Sequence, residues 1–271
     1  MTSKKNEYTI NLANAENDNI DLTGIKSVRL NAIARENIPL APGFVISTNA
    51  FDEFIIQNSL SETIIGEIEK LDGNSEKSIK KASENILKLI DKNPIPEDIV
   101  KEIAQAYKNL SGFSKAYVSM SISALNKEID EMNYIVRPTI LEDIHNEEDL
   151  VYSVKELWKE LFRPEALKYR EQNQYSGELS LAILAIKTIQ SESSGRAMNF
   201  NPIDNSQNFI EINAMYGFEN IGMDQKYDMY KVDKKNMEIE EKKIILNQLK
   251  IIQDGKILQD KQDIQQYMKL L

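Results

Sequence analysis

The chain has 271 residues, no cysteine and a formal net charge of -10. Lack of cysteine excludes disulfides, thiolate metal sites and a cysteine nucleophile. The acidity argues against generic nucleic-acid binding, which needs a basic surface, but leaves room for a nucleotide pocket, where a few local cations suffice.

No run of about 18 apolar residues suggests a membrane span. The N-terminal MTSKKNEYTINLANAENDN lacks the apolar middle of a secretory signal, so the cytoplasm is the expected compartment. Ser27 to Arg35 carries apolar Val28, Leu30, Ile33 and Ala34, the spacing of a short amphipathic helix. Pro39 and Pro42-Gly43 punctuate it, and Phe44-Val45-Ile46 reads as a buried strand. Thr48 is expected to cap a second helix that buries Phe51, Phe54 and Ile55. Helical spacing then continues from Ser61 to Leu110. Ile64, Ile65, Ile68 and Leu71 share one face, and Ile79, Ile86, Leu87 and Leu89 follow in another helix. A further helix begins near Pro96, whose fixed φ suits a first turn, and ends near Gly112.

The character changes near Lys115. AYVSMSIS, residues 116–123, alternates like a half-buried strand, and Tyr134 to Arg137 is a weaker strand. Asn146 caps a long helix bearing Leu150, Val154, Leu157, Trp158 and Phe162, which Pro164 should break or restart. Strands are expected over Leu181–Ile189, Gly195–Phe200, Phe209–Ala214, Met229–Val232 and Met237–Glu240. Asp254-Gly255 signals a hairpin turn within Leu249–Leu258, and a helix follows from Gln259. The expectation is an α+β protein: a helix-rich N-terminal lobe, residues 1–115, then a mixed, strand-rich lobe, residues 116–271.

Four segments, in order, resemble one family. Thr23-Gly24-Ile25-Lys26 through Leu30, followed by Ala41-Pro42-Gly43-Phe44-Val45-Ile46-Ser47-Thr48 and Phe51, is similar to Gly-Gly-Lys-Gly-x-x-Leu with Pro-Pro-Gly-Phe-x-Ile-x-Thr. LWKELFRPEALKYR, residues 157–170, is similar to Trp-x-Ser-Leu-Phe-x-x-x-Ala-x-x-Tyr-Arg. Ser191-Glu192-Ser193-Ser194-Gly195 with Asn201-Pro202 is similar to Ser-Glu-x-Ser-Gly-x-x-Phe-x-x-Asp-Pro. Ile212-Asn213-Ala214-Met215-Tyr216-Gly217-Phe218 is similar to Ile-Asn-Ala-x-Trp-Gly-Leu-Gly-Glu. Together they resemble the N-terminal, nucleotide-binding ATP-grasp domain of phosphoenolpyruvate synthases and pyruvate phosphate dikinases, in a degenerate or truncated form. The resemblance implies an ATP-grasp-like fold, ATP with Mg²⁺ as ligand, and a phosphoryl group passed to a histidine on a separate domain or to another acceptor. Such chemistry needs cations and oriented donors around the phosphates and acidic ligands for the metal.

By resemblance, Lys26 is the phosphate-contacting lysine; as a plain sequence feature it is equally a surface lysine in a first helical turn. The family's Val-Arg-Ser-Ser strand looks like Val118-Ser119-Met120-Ser121, so Ser119 or Met120 replaces an essential arginine. Neither makes a bidentate phosphate contact. The glycine-containing phosphate loop looks like Asn133-Tyr134-Ile135-Val136-Arg137, with valine for glycine. Arg137 could restore the lost charge, or be a surface arginine. The adenine-linker strand looks like Ile186-Lys187-Thr188-Ile189, with Lys187 and Ile189 as the expected contacts. Glu192 and Glu211 are nearby acids. The family's Asp-Ile-Glu-Trp segment with its catalytic acid, and the Leu-Gln-x-Arg-Pro strand after it, have no counterpart in the sequence. His145, the only histidine, sits in EDIHNEEDL and reads as a turn residue rather than a phosphocarrier.

Two readings follow. One is an ATP-grasp domain that has lost most phosphate-handling residues and keeps the scaffold, with residual nucleotide binding. The other is an active phosphotransferase domain completed by further C-terminal segments or a partner chain. Scaffold residues are retained and phosphate-handling residues altered, which favours the first.

Overall fold

The computed structural model describes residues 7–73, 75–112, 116–125, 140–173, 180–189, 191–199, 207–217, 227–245, 250–251 and 257–258. Helices and antiparallel sheets are mixed along the chain, giving the α+β class expected. Two compact units divide it, Met1–Thr188 and Ile189–Leu271. They part well beyond residue 115, because strands from both sides of that position belong to one sheet.

In the first unit the strand order is β1 (Thr9–Asn11), β2 (Gly43–Ile46), β5 (Ala182–Lys187), β3 (Val118–Ser123) and β4 (Ile140–Ile144). All neighbours are antiparallel. β5 is central, so residues far along the chain close the sheet begun by β2. Gly43 permits their approach: a Cβ there would lie 2.5 Å from the Ala185 carbonyl oxygen. The Pro-Gly-Phe stretch is therefore structural.

The pairing gives this sheet two faces. Phe44, Ile46, Ile183, Ala185, Met120 and Ile122 point to the front, where they join one continuous core. Helices α2 (Thr48–Gln57), α3 (Ser61–Glu69), α4 (Glu76–Lys92), α5 (Glu97–Ser111), α6 (Glu147–Lys159) and α7 (Pro164–Gln172) supply the rest of it. Its centre is aromatic. Trp158 packs edge-on against Phe51, ring centroids 5.5 Å apart, and stacks on Phe54 at 5.0 Å, while Phe162 stacks on Phe51 at 6.4 Å. The 157–170 segment thus earns its pattern by filling the core. Val45, Ala182, Leu184 and Ile186 point to the back, covered by Leu12, Ala15 and Leu30. Leu30 belongs to α1 (Ile20–Arg35).

Helix ends mostly follow local chemistry. The Asn146 side-chain oxygen accepts from the Asp149 N–H at 2.8 Å, Pro164 opens α7, and Gly112, with φ 62°, terminates α5. Thr48 is a correction. Ser47 occupies the cap position of α2, and the Thr48 hydroxyl donates instead to the Asp21 carbonyl at 3.0 Å. The nearly buried Lys159 ammonium ties α6 to α4 through Asp91 Oδ1 at 2.8 Å and also bonds Glu156. Burial alone would pull its pKa down; the bonds to Asp91 and Glu156 reverse the sign and leave it raised.

Strands β1 and β4 carry no clear local signal. The first is held from a distance: the backbone N–H groups of Tyr8 and Thr9 donate to one Glu102 oxygen at 2.8 and 2.7 Å.

The second unit holds an antiparallel meander, β6 (Ser193–Met198), β7 (Phe209–Tyr216), β8 (Asp228–Asp233) and β9 (Ile239–Lys243). The last strand starts after Met237, whose φ of 59° belongs to the preceding turn. β10 (Lys250–Ile251) pairs antiparallel with β11 (Ile257–Leu258), flanking the expected Asp254-Gly255 turn. That turn, the expected Tyr134–Arg137 strand and the expected helix from Gln259 lie outside the described residues. Among the described residues no helix is long and apolar enough to cross a membrane.

Candidate functional site

The site begins at Gly24, the one residue inside α1 with non-helical backbone, φ 76° and ψ 160°. Side chains rarely adopt that φ, and a Cβ would lie 2.2 Å from the Ser123 carbonyl oxygen. Glycine therefore lets the chain touch β3 and re-enter the helix at Ile25. Helix starts leave N–H groups without intrahelical partners. Here β3 and the residue after it satisfy two of them. The Ile25 N–H donates to the Ala124 carbonyl at 2.7 Å, and the Ser27 N–H to Ser123 Oγ at 3.1 Å. The Ser27 hydroxyl donates to the same oxygen at 3.0 Å. Lys26 lies between these anchors. It is exposed, and its ammonium donates to Ser121 Oγ at 2.7 Å.

Strand alternation explains why serines meet this turn. In β3, Val118, Met120 and Ile122 face the front core, so Ser119, Ser121 and Ser123 fall on the back with α1. The Ser119 and Thr188 hydroxyls bond each other at 3.0 Å. Of the two residues aligned with the resembled family's arginine, Met120 is fully buried in the core. Ser119, half-buried, is the one on Lys26's face of the sheet. The residues missed from sequence are Ser121, Ser123 and Thr188. A signal was present: Ser-Met-Ser-Ile-Ser puts three hydroxyls on one side of a strand.

The remaining expected residues are placed differently. Lys187 pairs with Val118, on the alternate face from the Ser119–Ile186 pair, so it does not share the Lys26 face. Its N–H donates to the Pro42 carbonyl at 2.9 Å, and the Thr188 N–H to the Tyr117 carbonyl at 2.8 Å. Those two donors are spent inside the sheet. Ile189 is 62% exposed, where the chain passes from the first compact unit to the second. Arg137 lies outside the described residues. His145 lies in the short link between β4 and α6, with Nδ1 2.9 Å from the Asp143 carbonyl and its ring against Tyr117.

The acids fit a metal poorly. Glu192 flanks β6, and its carbonyl accepts from the Gly217 N–H at 2.8 Å. Glu211 pairs with Met198 at the far end of the same ladder and accepts from Asn213 Nδ2 at 3.2 Å. At the rise of a strand the two acids stand roughly 20 Å apart. Among the described residues, no three His, Asp or Glu side chains gather as metal ligands.

The profile of a family described as "Pyruvate phosphate dikinase, AMP/ATP-binding domain" matches residues 20–268. The chain is 28% identical to a "Probable phosphoenolpyruvate synthase" of Methanocaldococcus jannaschii, over 89% of this chain and 21% of the relative. A "Probable phosphoenolpyruvate synthase" of Archaeoglobus fulgidus is 29% identical, over 86% of this chain and 32% of the relative. The "Phosphoenolpyruvate synthase" of Pyrococcus furiosus is 27% identical, over 89% and 34%. The chain thus spans between 21% and 34% of the length of these relatives.

Proposed function

The chain belongs to the family of pyruvate phosphate dikinase AMP/ATP-binding domains, and from that premise we propose that it binds an adenine nucleotide but does not transfer its phosphoryl group unaided. The observation that carries this reading is the back of β3. Lys26 meets Ser121 there, and Ser119, one of the two residues that the resemblance sets against an arginine, lies on the same face. Hydroxyls donate hydrogen bonds but bring no charge, whereas phosphoryl transfer spreads negative charge over several oxygens that must be neutralised. A single lysine can hold a ground-state phosphate; a transition state asks for more.

Magnesium bound with the nucleotide would lower the repulsion between phosphate oxygens. Among the described residues the acids offer it little: Glu192 and Glu211 are too far apart to share an ion. A second reading is favoured by the length of the relatives, which is several times that of this chain. In it, further segments or a partner chain bring the missing charge, and the complete assembly is a phosphoenolpyruvate synthase-type phosphotransferase.

Calorimetry with Mg-ATP and Mg-AMP-PNP tests the binding half of the proposal. The chain should bind both, and Lys26→Ala should weaken binding about tenfold, equivalent to about 1.4 kcal/mol. An absence of heat at millimolar nucleotide would remove the binding claim. Turnover of γ-labelled ATP by this chain alone would remove the claim that it needs help.

A further inference from the structure

We infer that Ser121 is the positioning residue of Lys26, holding its ammonium over the back of β3 where a nucleotide phosphate would be met. The inference rests on the nucleotide reading above and deepens it.

The backbone around Lys26 is already fixed. Gly24 abuts Ser123, the Ile25 N–H is bound to the Ala124 carbonyl, and the Ser27 N–H and hydroxyl both end on Ser123 Oγ. These contacts set where the Lys26 Cα sits. They do not set where its ammonium sits, because four flexible methylenes separate the two. The 2.7 Å bond to Ser121 Oγ constrains the ammonium. It joins residues 95 apart in sequence, so it registers α1 against β3 at the side-chain level.

Three features point to orientation rather than to stability. First, the bond is exposed to solvent, where the net gain from one hydrogen bond hardly exceeds the cost of ordering a lysine. Second, the partner is a hydroxyl. It bonds the ammonium without itself adding a negative charge, as a carboxylate in the same place would do. In a chain of net charge -10 an acidic holder would compete directly with a phosphate. Third, accepting from the ammonium uses a lone pair of Ser121, so its own O–H proton points elsewhere and remains a second donor for an anion. Ser123, two residues on, instead accepts both Ser27 bonds and is buried. One serine therefore fixes the turn and the other fixes the charge.

The test compares wild type, Ser121→Ala, Ser121→Thr, Lys26→Ala and the Lys26→Ala/Ser121→Ala double variant. Mg-AMP-PNP affinity is read by calorimetry and folding by thermal melting. Ser121→Ala should raise Kd about three- to tenfold, the size of one lost hydrogen bond, with an unchanged melting temperature. Ser121→Thr keeps the hydroxyl and should restore affinity. In the Lys26→Ala background, Ser121→Ala should have no further effect. Wild-type affinity in Ser121→Ala, or the same fold-loss with and without Lys26, would overturn the assignment while leaving nucleotide binding intact.

A ligand-free arm separates this from failure of the nucleotide reading itself. The acylation rate of Lys26 by an amine-reactive ester, followed by mass spectrometry, should change in Ser121→Ala and return in Ser121→Thr. If wild type bound no nucleotide, the functional reading would fall, and an unchanged acylation rate would remove the positioning role as well.

Discussion

Val118, Met120 and Ile122 on the front of β3 differ from Ser119, Ser121 and Ser123 on its back in what each must satisfy. The front side chains are enclosed by α2 through α7 and have no freedom of polarity, since any charge there would lose its water. The back side chains meet α1 and Thr188 through hydrogen bonds that several small polar residues could make. The two faces teach how a fold is kept while a site changes. Packing constrains every front residue collectively, whereas each back residue answers to one or two contacts. A substitution on the back can change the charge there without touching the core.

The largest effect should come from inverting the front face. Met120→Arg would bury a cation among apolar side chains with no acid opposite, at a cost of about 3–5 kcal/mol or more. That is a large part of a typical domain's total stability, about 5–15 kcal/mol. Urea unfolding should show a collapsed midpoint or no cooperative transition. A midpoint near wild type would mean that the front and back of β3 are wrongly assigned.

An intermediate effect is expected at Gly24, where the back face touches the helix. Alanine would have to adopt φ 76° and place its Cβ 2.2 Å from a backbone oxygen that cannot rotate away. The strain should cost about 1–3 kcal/mol. Relief requires the Gly24–Ser27 turn to lift from β3, taking Lys26 with it. Gly24→Ala should therefore lose stability modestly and nucleotide affinity as fully as Lys26→Ala does. Equal affinity to wild type would show that the turn can move without consequence, and would separate Gly24 from the site.

What could be read in advance follows the same division. Alternation exposed β3, helical spacing exposed α4 and α6, and the chemistry of Asn146, Pro164 and Gly112 marked helix ends, because each depends on near neighbours. β1 depends on Glu102, more than 90 residues away, so no local pattern announces it. The change from helical to strand patterning suggests a lobe boundary near residue 115. That change marks where helices give way to strands, not where contacts cease, since β5 sits between β2 and β3. The family resemblance picks out Lys26, and a cation in a helix's first turn is also electrostatically unusual. Its contact with Ser121 is not legible, although the Ser-x-Ser-x-Ser pattern is in view, because hydroxyls at strand spacing are common and only the docking of α1 brings these to Lys26 and Ser27. The resemblance makes Lys187 and Ile189 the expected adenine contacts, through backbone groups and apolar side chains. Where such a strand spends its donors is a property of pairing, and Pro42 and Tyr117 take the N–H groups of Lys187 and Thr188.

The smallest change in stability, and the most informative about the site, is expected from Ser119→Arg. This exchange puts a guanidinium at one of the two positions that the family resemblance sets against an arginine. Ser119 is half-buried and bonded to Thr188, so its replacement forfeits one hydroxyl pair, worth about 0.5–1.5 kcal/mol. The long arginine stem can lie along the sheet and carry its charge to water. The urea midpoint should fall far less than in Met120→Arg, one residue away. Nucleotide affinity should move the other way. A second cation on the face of Lys26 adds a planar donor pair suited to phosphate oxygens, and affinity should rise about three- to tenfold at low salt. Because the gain is electrostatic at an exposed site, it should shrink between low and physiological ionic strength. Calorimetry at two salt concentrations reads both signs at once. A tighter, salt-sensitive complex would place the back of β3 against the phosphates. Unchanged affinity in a folded Ser119→Arg variant would mean that the back of β3 does not face the phosphates, and the nucleotide reading would have to be rebuilt on other residues.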